Sequence, residues 1–106
     1  MELADTRLKV PDDERALYLG ASCLSSLGDS GRAREWAKRA VAMEPDDSAV
    51  LYNVASVYSL LGLHDSAIDC LEGAVRNGFG HWEWIEHDSD LDPLRQHPRF
   101  GTLLAH

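Results

Sequence analysis

Long apolar runs are missing from this 106-residue sequence. No stretch approaches the ~18 residues of a membrane span. The opening Met1-Glu2-Leu3-Ala4-Asp5 lacks the basic-then-apolar order of a secretory signal. A soluble, unexported, cytoplasmic chain is therefore expected. Basic residues are also scarce, 10 Lys and Arg against 18 Asp and Glu, for a net charge of −8. Nucleic acid and anionic membrane both bind through clustered Lys and Arg, so neither is an expected partner. One local exception, Arg32, Arg34, Lys38 and Arg39, reads as a solvated helix face, with Glu35 placed four residues before Arg39 for a surface ion pair. Only two cysteines occur, Cys23 and Cys70, without Cys-x-x-Cys spacing. Each sits among apolar residues, so both read as free, small buried hydrophobes in a reducing compartment.

Catalytic and ligand-binding signatures are equally thin. None of Ser22, Ser25, Ser26, Ser56 and Ser59 lies in a glycine-flanked nucleophile elbow. Gly28, Gly31 and Gly62 are turn glycines with no following Gly-Lys-Ser/Thr phosphate loop. Histidines 64, 81, 87, 97 and 106 form no His-x-x-x-His pair, leaving at most adventitious metal at the last two. Asp88-Ser89-Asp90-Leu91-Asp92 starts like a calcium loop. However, Pro93 stands where glycine must turn and Arg99 where a bidentate Glu belongs, so helix capping is the better account of these acids. No catalytic residue, cofactor or metal is expected, and the chain is read as a non-enzyme.

What the sequence does contain is a 34-residue period. Residues 12–45 laid over 46–79 agree at about a dozen positions, among them Leu17-Tyr18 with Leu51-Tyr52, Ala21-Ser22 with Ala55-Ser56, Leu27-Gly28 with Leu61-Gly62, and Ala40-Val41 with Ala74-Val75. Each unit reads as two helices. Leu17, Gly20, Ala21, Leu24 and Leu27 recur at three- and four-residue steps, then Ala33, Trp36, Ala37, Ala40 and Val41, closed by Pro45. Leu51, Val54, Ala55, Tyr58 and Leu61 repeat the first stripe, and Ala67, Leu71, Ala74 and Val75 the second, ending at Asn77-Gly78. Asp12 or Asp13 offers the first N-cap and Gly28 a stop. Short turns between such helices force antiparallel hairpins.

At these residues the chain resembles the tetratricopeptide repeat family. Its small residues, Ala21 and Ala55, Ala33 and Ala67, Ala40 and Ala74, let paired helices approach closely. The resemblance implies an all-α fold of two antiparallel helix-turn-helix hairpins stacked in a short right-handed superhelix. The expected organisation is a single domain, with an N-terminal arm over 1–11, repeats over 12–45 and 46–79, and a C-terminal helical cap over 80–106. Gly20 departs from the pattern, standing where a large residue is usual. Because residues 1–11 look too polar to press on it, Gly20→Ala is expected to stabilise by roughly 0.4–1 kcal/mol.

A third repeat fails, since Asp88, Ser89 and Asp92 would fall on core positions. Trp82, Ile85, Leu91, Leu94 and Phe100 instead predict a helix near 81–86, a turn near 91–95 and a last helix near 97–105, covering the open face an array needs capped. This tail is similar to termini of tetratricopeptide arrays in bacterial signalling proteins.

In the resembled family, partners lie along the concave face made by the first helix of each repeat. The matching residues are Arg15, Tyr18, Leu19 and Ser22, then Tyr52, Asn53 and Ser56, with Ser25, Ser26, Ala49, Ser59 and Leu60 beside them. Tyr18 and Tyr52 are expected to lie side by side, outside the core and free for recognition. Some members clamp the acidic end of a heat-shock chaperone. Here Asn53 matches one clamp residue, but Tyr18 and Ser22 replace the first lysine and asparagine, and no basic cradle remains. The implied function is a protein–protein interaction module binding a peptide or helix of another protein. The alternative is a self-associating, regulatory unit, a homodimer through its open ends, in a bacterial signalling protein.

Overall fold

The computed structural model describes residues 13–105, so the expected arm over 1–11 lies outside the described residues. Asp13 opens the first helix, its carboxylate accepting the N–H groups of Arg15 at 2.7 Å and Ala16 at 3.4 Å. Two of the donors a helix start leaves orphaned are thereby satisfied. This helix, α1, runs Glu14–Ser26 and is followed by α2, Ser30–Met43. Asp47 repeats the cap for α3, Ser48–Leu60, accepting from Ala49 and Val50, and α4 runs His64–Arg76.

Three of these helices end alike. Gly28, Gly62 and Gly78 hold φ of 84°, 81° and 99°, the left-handed region where a side chain is strained. After each glycine, the next N–H reaches back to a carbonyl five residues earlier, as Asp29 does to Leu24, Leu63 to Tyr58 and Phe79 to Ala74. Those bonds turn the chain sharply out of the helix and close the last carbonyls.

Helix α1 pairs with α2 and α3 with α4, and the two hairpins stack through contacts of α3 with both α1 and α2. The core runs along the small-residue seam: Ala21, Ala33, Ala37, Ala40, Ala55, Ala67 and Ala74 are all fully buried, with Leu17, Leu51, Val54, Ile68 and Leu71 between them. Helix α3 carries no charged residue and buries Val50, Leu51, Tyr52, Val54, Ala55, Val57 and Ser59, as the central element of a stack must. Two expectations fail at the edges. Leu27 is exposed at the turn of the first hairpin, and Cys23 is exposed, whereas Cys70 is buried.

Gly20 faces the ring of Trp36 on the paired helix. A Cβ there would stand 2.5 Å and 2.7 Å from two ring carbons, closer than van der Waals contact permits. The expectation that alanine stabilises is therefore corrected. The missing side chain is the space the buried indole occupies.

Beyond Gly80 the chain forms α5, Trp82–His87, a 3-10 helix over Ser89–Leu94, and α6, Pro98–Leu104. Ile85, Leu91, Leu94 and Phe100 are buried by this cap, and its 3-10 segment packs mainly on α3 and also on α4. Arg95 ties the cap together. It pairs with Asp92 at 2.7 Å, donates to the carbonyls of Ile85 and Asp88, and lies 5.5 Å from the centre of the Phe100 ring.

Candidate functional site: the groove between the hairpins and the cap

The cap joins the inner face of the array through two side chains of α3. The Tyr52 hydroxyl donates to Asp88 Oδ2 at 2.6 Å, and Ser59 Oγ donates to the Asp90 carbonyl at 2.6 Å. The Tyr52 ring stacks on Phe79, centroids 4.4 Å apart and nearly parallel. With 5% of its surface exposed, Tyr52 is a packing residue, not a free recognition residue. Nor does it stack on Tyr18, since no ring pair joins the two among the described residues. Phe79 takes that place. Ser59 is likewise spent on the cap, because it lies on the side of α3 that the 3-10 segment covers.

The inner face nevertheless forms a groove. A cavity of about 120 Å³ is lined from α1 by Tyr18, Leu19 and Ser22 and from α3 by Tyr52, Asn53 and Ser56, over Val57 and Leu60, with Asp88 and Asp90 at the cap end. Six of the seven residues singled out from the sequence meet there. Arg15, exposed in the first turn of α1, does not line it. Asn53 donates to the Ala49 carbonyl at 2.7 Å and Ser56 to the Tyr52 carbonyl at 3.4 Å. These bonds fix the side chains against α3 and leave the Asn53 carbonyl oxygen to accept from a ligand.

The groove's charge comes from the cap. The Asp88 carboxylate accepts from Tyr52 and from the Asp90 N–H, both neutral donors, and the nearest described cation, Arg95, bonds its backbone carbonyl instead. Burial, and next the Asp88 carboxylate, push the Asp90 carboxyl upward. Burial, then the hydrogen bond to Asp88, push the Tyr52 phenol well above its ordinary value. Among the described residues no Lys or Arg lines the cavity.

Beyond the Tyr52–Asp88 bond lies a second hollow of about 450 Å³, walled by Tyr52, Glu83, Trp84, His87 and Asp88. Trp84 stands 51% exposed, with His81 stacked on it at 4.3 Å. A third and wider hollow follows the outer face of α2 alone, where Glu35 neutralises Arg39 at 3.1 Å.

On the outside, α6 is clipped to α4. Asp65, Asp69 and Glu72 share one face of α4. His97 Nδ1 accepts from the Arg99 N–H, so the neutral ring carries its proton on Nε2 and donates it to Asp65 at 2.8 Å. Arg99 reaches Asp69 at 2.7 Å and Glu72 at 2.5 Å. The sequence marked Arg99 only as a misfit in a calcium loop. Its signal was the acidic 65, 69, 72 row, with a four- and a three-residue step. Among the described residues no group of three His, Cys, Asp or Glu side chains is placed to hold a metal ion, and no helix is long and apolar enough to cross a membrane.

The sequence profile described as tetratricopeptide repeat matches residues 14–47 and 48–77. Over 61 residues the chain is 36% identical to a chloroplastic protein of Arabidopsis thaliana, an alignment covering 57% of this chain. It spans 18% of that relative's length. No solved structure matches significantly.

Proposed function

Because the chain belongs to the tetratricopeptide repeat family, a non-catalytic fold whose repeats generally mediate protein–protein interaction, we propose that it captures a peptide or helix of a partner protein in the groove between α1, α3 and the cap. The observation that carries this reading is the gathering of Tyr18, Leu19, Ser22, Asn53 and Ser56 around one cavity, with Leu19 52% and Leu60 47% exposed at its edge. Apolar side chains left open beside fixed polar groups suit an adaptable protein ligand. The bacterial signalling setting rests on the resemblance of residues 82–100 to array termini, and a cytoplasmic location on the two free thiols. Selection of a displayed peptide library on the full chain tests the groove. Selected peptides should lose binding to Leu19→Glu and Leu60→Glu, and peptides that bind both variants as well as the parent would remove it as the site.

A second reading, self-association, has one observation in its favour. Leu27 is 81% exposed at the turn of the first hairpin, while its repeat counterpart Leu61 packs against the core. A neighbour stacked on the first hairpin would cover it. Sedimentation velocity across a concentration series decides this, with a monomer at all concentrations setting it aside.

A further inference from the structure

The hollow beside Trp84 shares two of its walls, Tyr52 and Asp88, with the inner groove, so a segment lying in the groove can place one side chain in it. Its walls are aromatic and acidic, from Tyr52, Trp84, Glu83 and Asp88, with the His87 imidazole completing them. Trp84 is half exposed although it belongs to the cap, and it walls the hollow while His81, whose ring stacks on it at 4.3 Å, does not. Glu83 lies beside it and makes no hydrogen bond or ion pair among the described residues. Asp88 contributes a carboxylate whose two partners, the Tyr52 hydroxyl and the Asp90 N–H, are both neutral. A half-exposed indole with the unpaired Glu83 carboxylate beside it, and with Asp88 whose side chain meets only neutral donors although Arg95 reaches its backbone carbonyl, suits a flat, delocalised cation. A guanidinium stacks on the ring and offers several N–H donors to the acids, which a compact ammonium cannot do at once.

We propose that this hollow accepts an arginine side chain of the segment held in the groove, so that the partner is a basic peptide. The proposal rests on the groove reading but has its own test. The full chain is titrated with a fluorescein-labelled hexa-arginine peptide at low salt and followed by anisotropy, alongside hexa-lysine. Hexa-arginine should bind more tightly than hexa-lysine and shift the indole N–H resonance of Trp84. Trp84→Ala leaves the net charge unchanged and should weaken binding roughly threefold or more, as should Glu83→Gln, while Trp84→Phe recovers most of it. Thermal melts establish that each variant folds. Equal binding by the parent, Trp84→Ala and Glu83→Gln would show only diffuse attraction to an acidic chain and overturn the proposal. Hexa-lysine binding as tightly as hexa-arginine would overturn the guanidinium assignment. If the Trp84 variants bind normally while library peptides still fail on Leu19→Glu, the arginine pocket falls and the groove stands. The reverse pattern removes the groove and leaves the pocket.

Discussion

The phenol of Tyr52 donates a 2.6 Å hydrogen bond to Asp88, across 36 residues of sequence, and this bond forms the partition between the groove and the Trp84 hollow. It also fastens the cap to α3. Hydrogen bonds to a charged group contribute about 1.5–3 kcal/mol. Tyr52→Phe should therefore lose an amount of that order in urea unfolding, and Tyr52→Ala, which also removes the stack on Phe79, about 3–5 kcal/mol. Tyr18→Ala, half-buried and outside any ring pair among the described residues, should cost much less.

The same phenol gives the fold an alkaline limit. Its folded value lies above the ordinary 10.0, through burial first and the Asp88 bond second. A raised folded value means the contribution is intact below about pH 10 and is lost as pH rises above it, because the unfolded chain gives up the proton first. Stability measured from pH 8 to 11 should fall at the upper end. Tyr52→Phe should flatten the part of that fall above pH 10, leaving the shares due to Cys70, which burial raises from 9.0 to about 11, and to Tyr58, which burial also raises.

Gly20→Ala should destabilise. A methyl group meeting the Trp36 ring at 2.5 Å forces a buried indole to move, and overpacking of this kind costs about 1–3 kcal/mol. Combined with Trp36→Phe, the alanine should cost less than it does alone, a coupling read from the double-mutant cycle.

A chain ending at Gly80 should melt far lower or aggregate. It loses Ile85, Leu91, Leu94 and Phe100, each buried and each contributing about 1.5–3 kcal/mol, against a typical total of ~5–15 kcal/mol. It also uncovers Tyr52 and Ser59. Unchanged melting would refute the capping role.

The thiols should separate cleanly. Burial pushes Cys70 up to about 11, while Cys23 is exposed. Only the thiolate attacks iodoacetamide, so mass spectrometry at pH 8 should find Cys23 alkylated and Cys70 intact until the protein is denatured.

The hairpins were legible because their information is local and doubled. Leu17 with Leu51, Ala21 with Ala55 and Gly28 with Gly62 state each packing rule twice within one period. The burial of Ile85, Leu91, Leu94 and Phe100 was legible because a solvated tail would not carry so many apolar residues. Tyr52 was misjudged because its partners, Phe79 and Asp88, lie outside the repeat, and comparison with Tyr18 concealed the difference in their surroundings. Gly20 was misjudged for a related reason. Attention to the polar residues preceding it passed over Trp36, the large side chain sixteen positions on that supplies the volume glycine omits. Asp88 and Asp90 were read as caps, which Asp88 is, but their placement at the groove's end depends on how the 3-10 segment packs on α3.

Contacts in a repeat array run chiefly between neighbours, and the groove is walled by α1 of the first hairpin on one side and by α3 and the cap on the other. A segment lying there would touch three successive units at once, acting as a rivet through the stack, and the mark of an occupied groove would be a higher melting temperature of the whole chain.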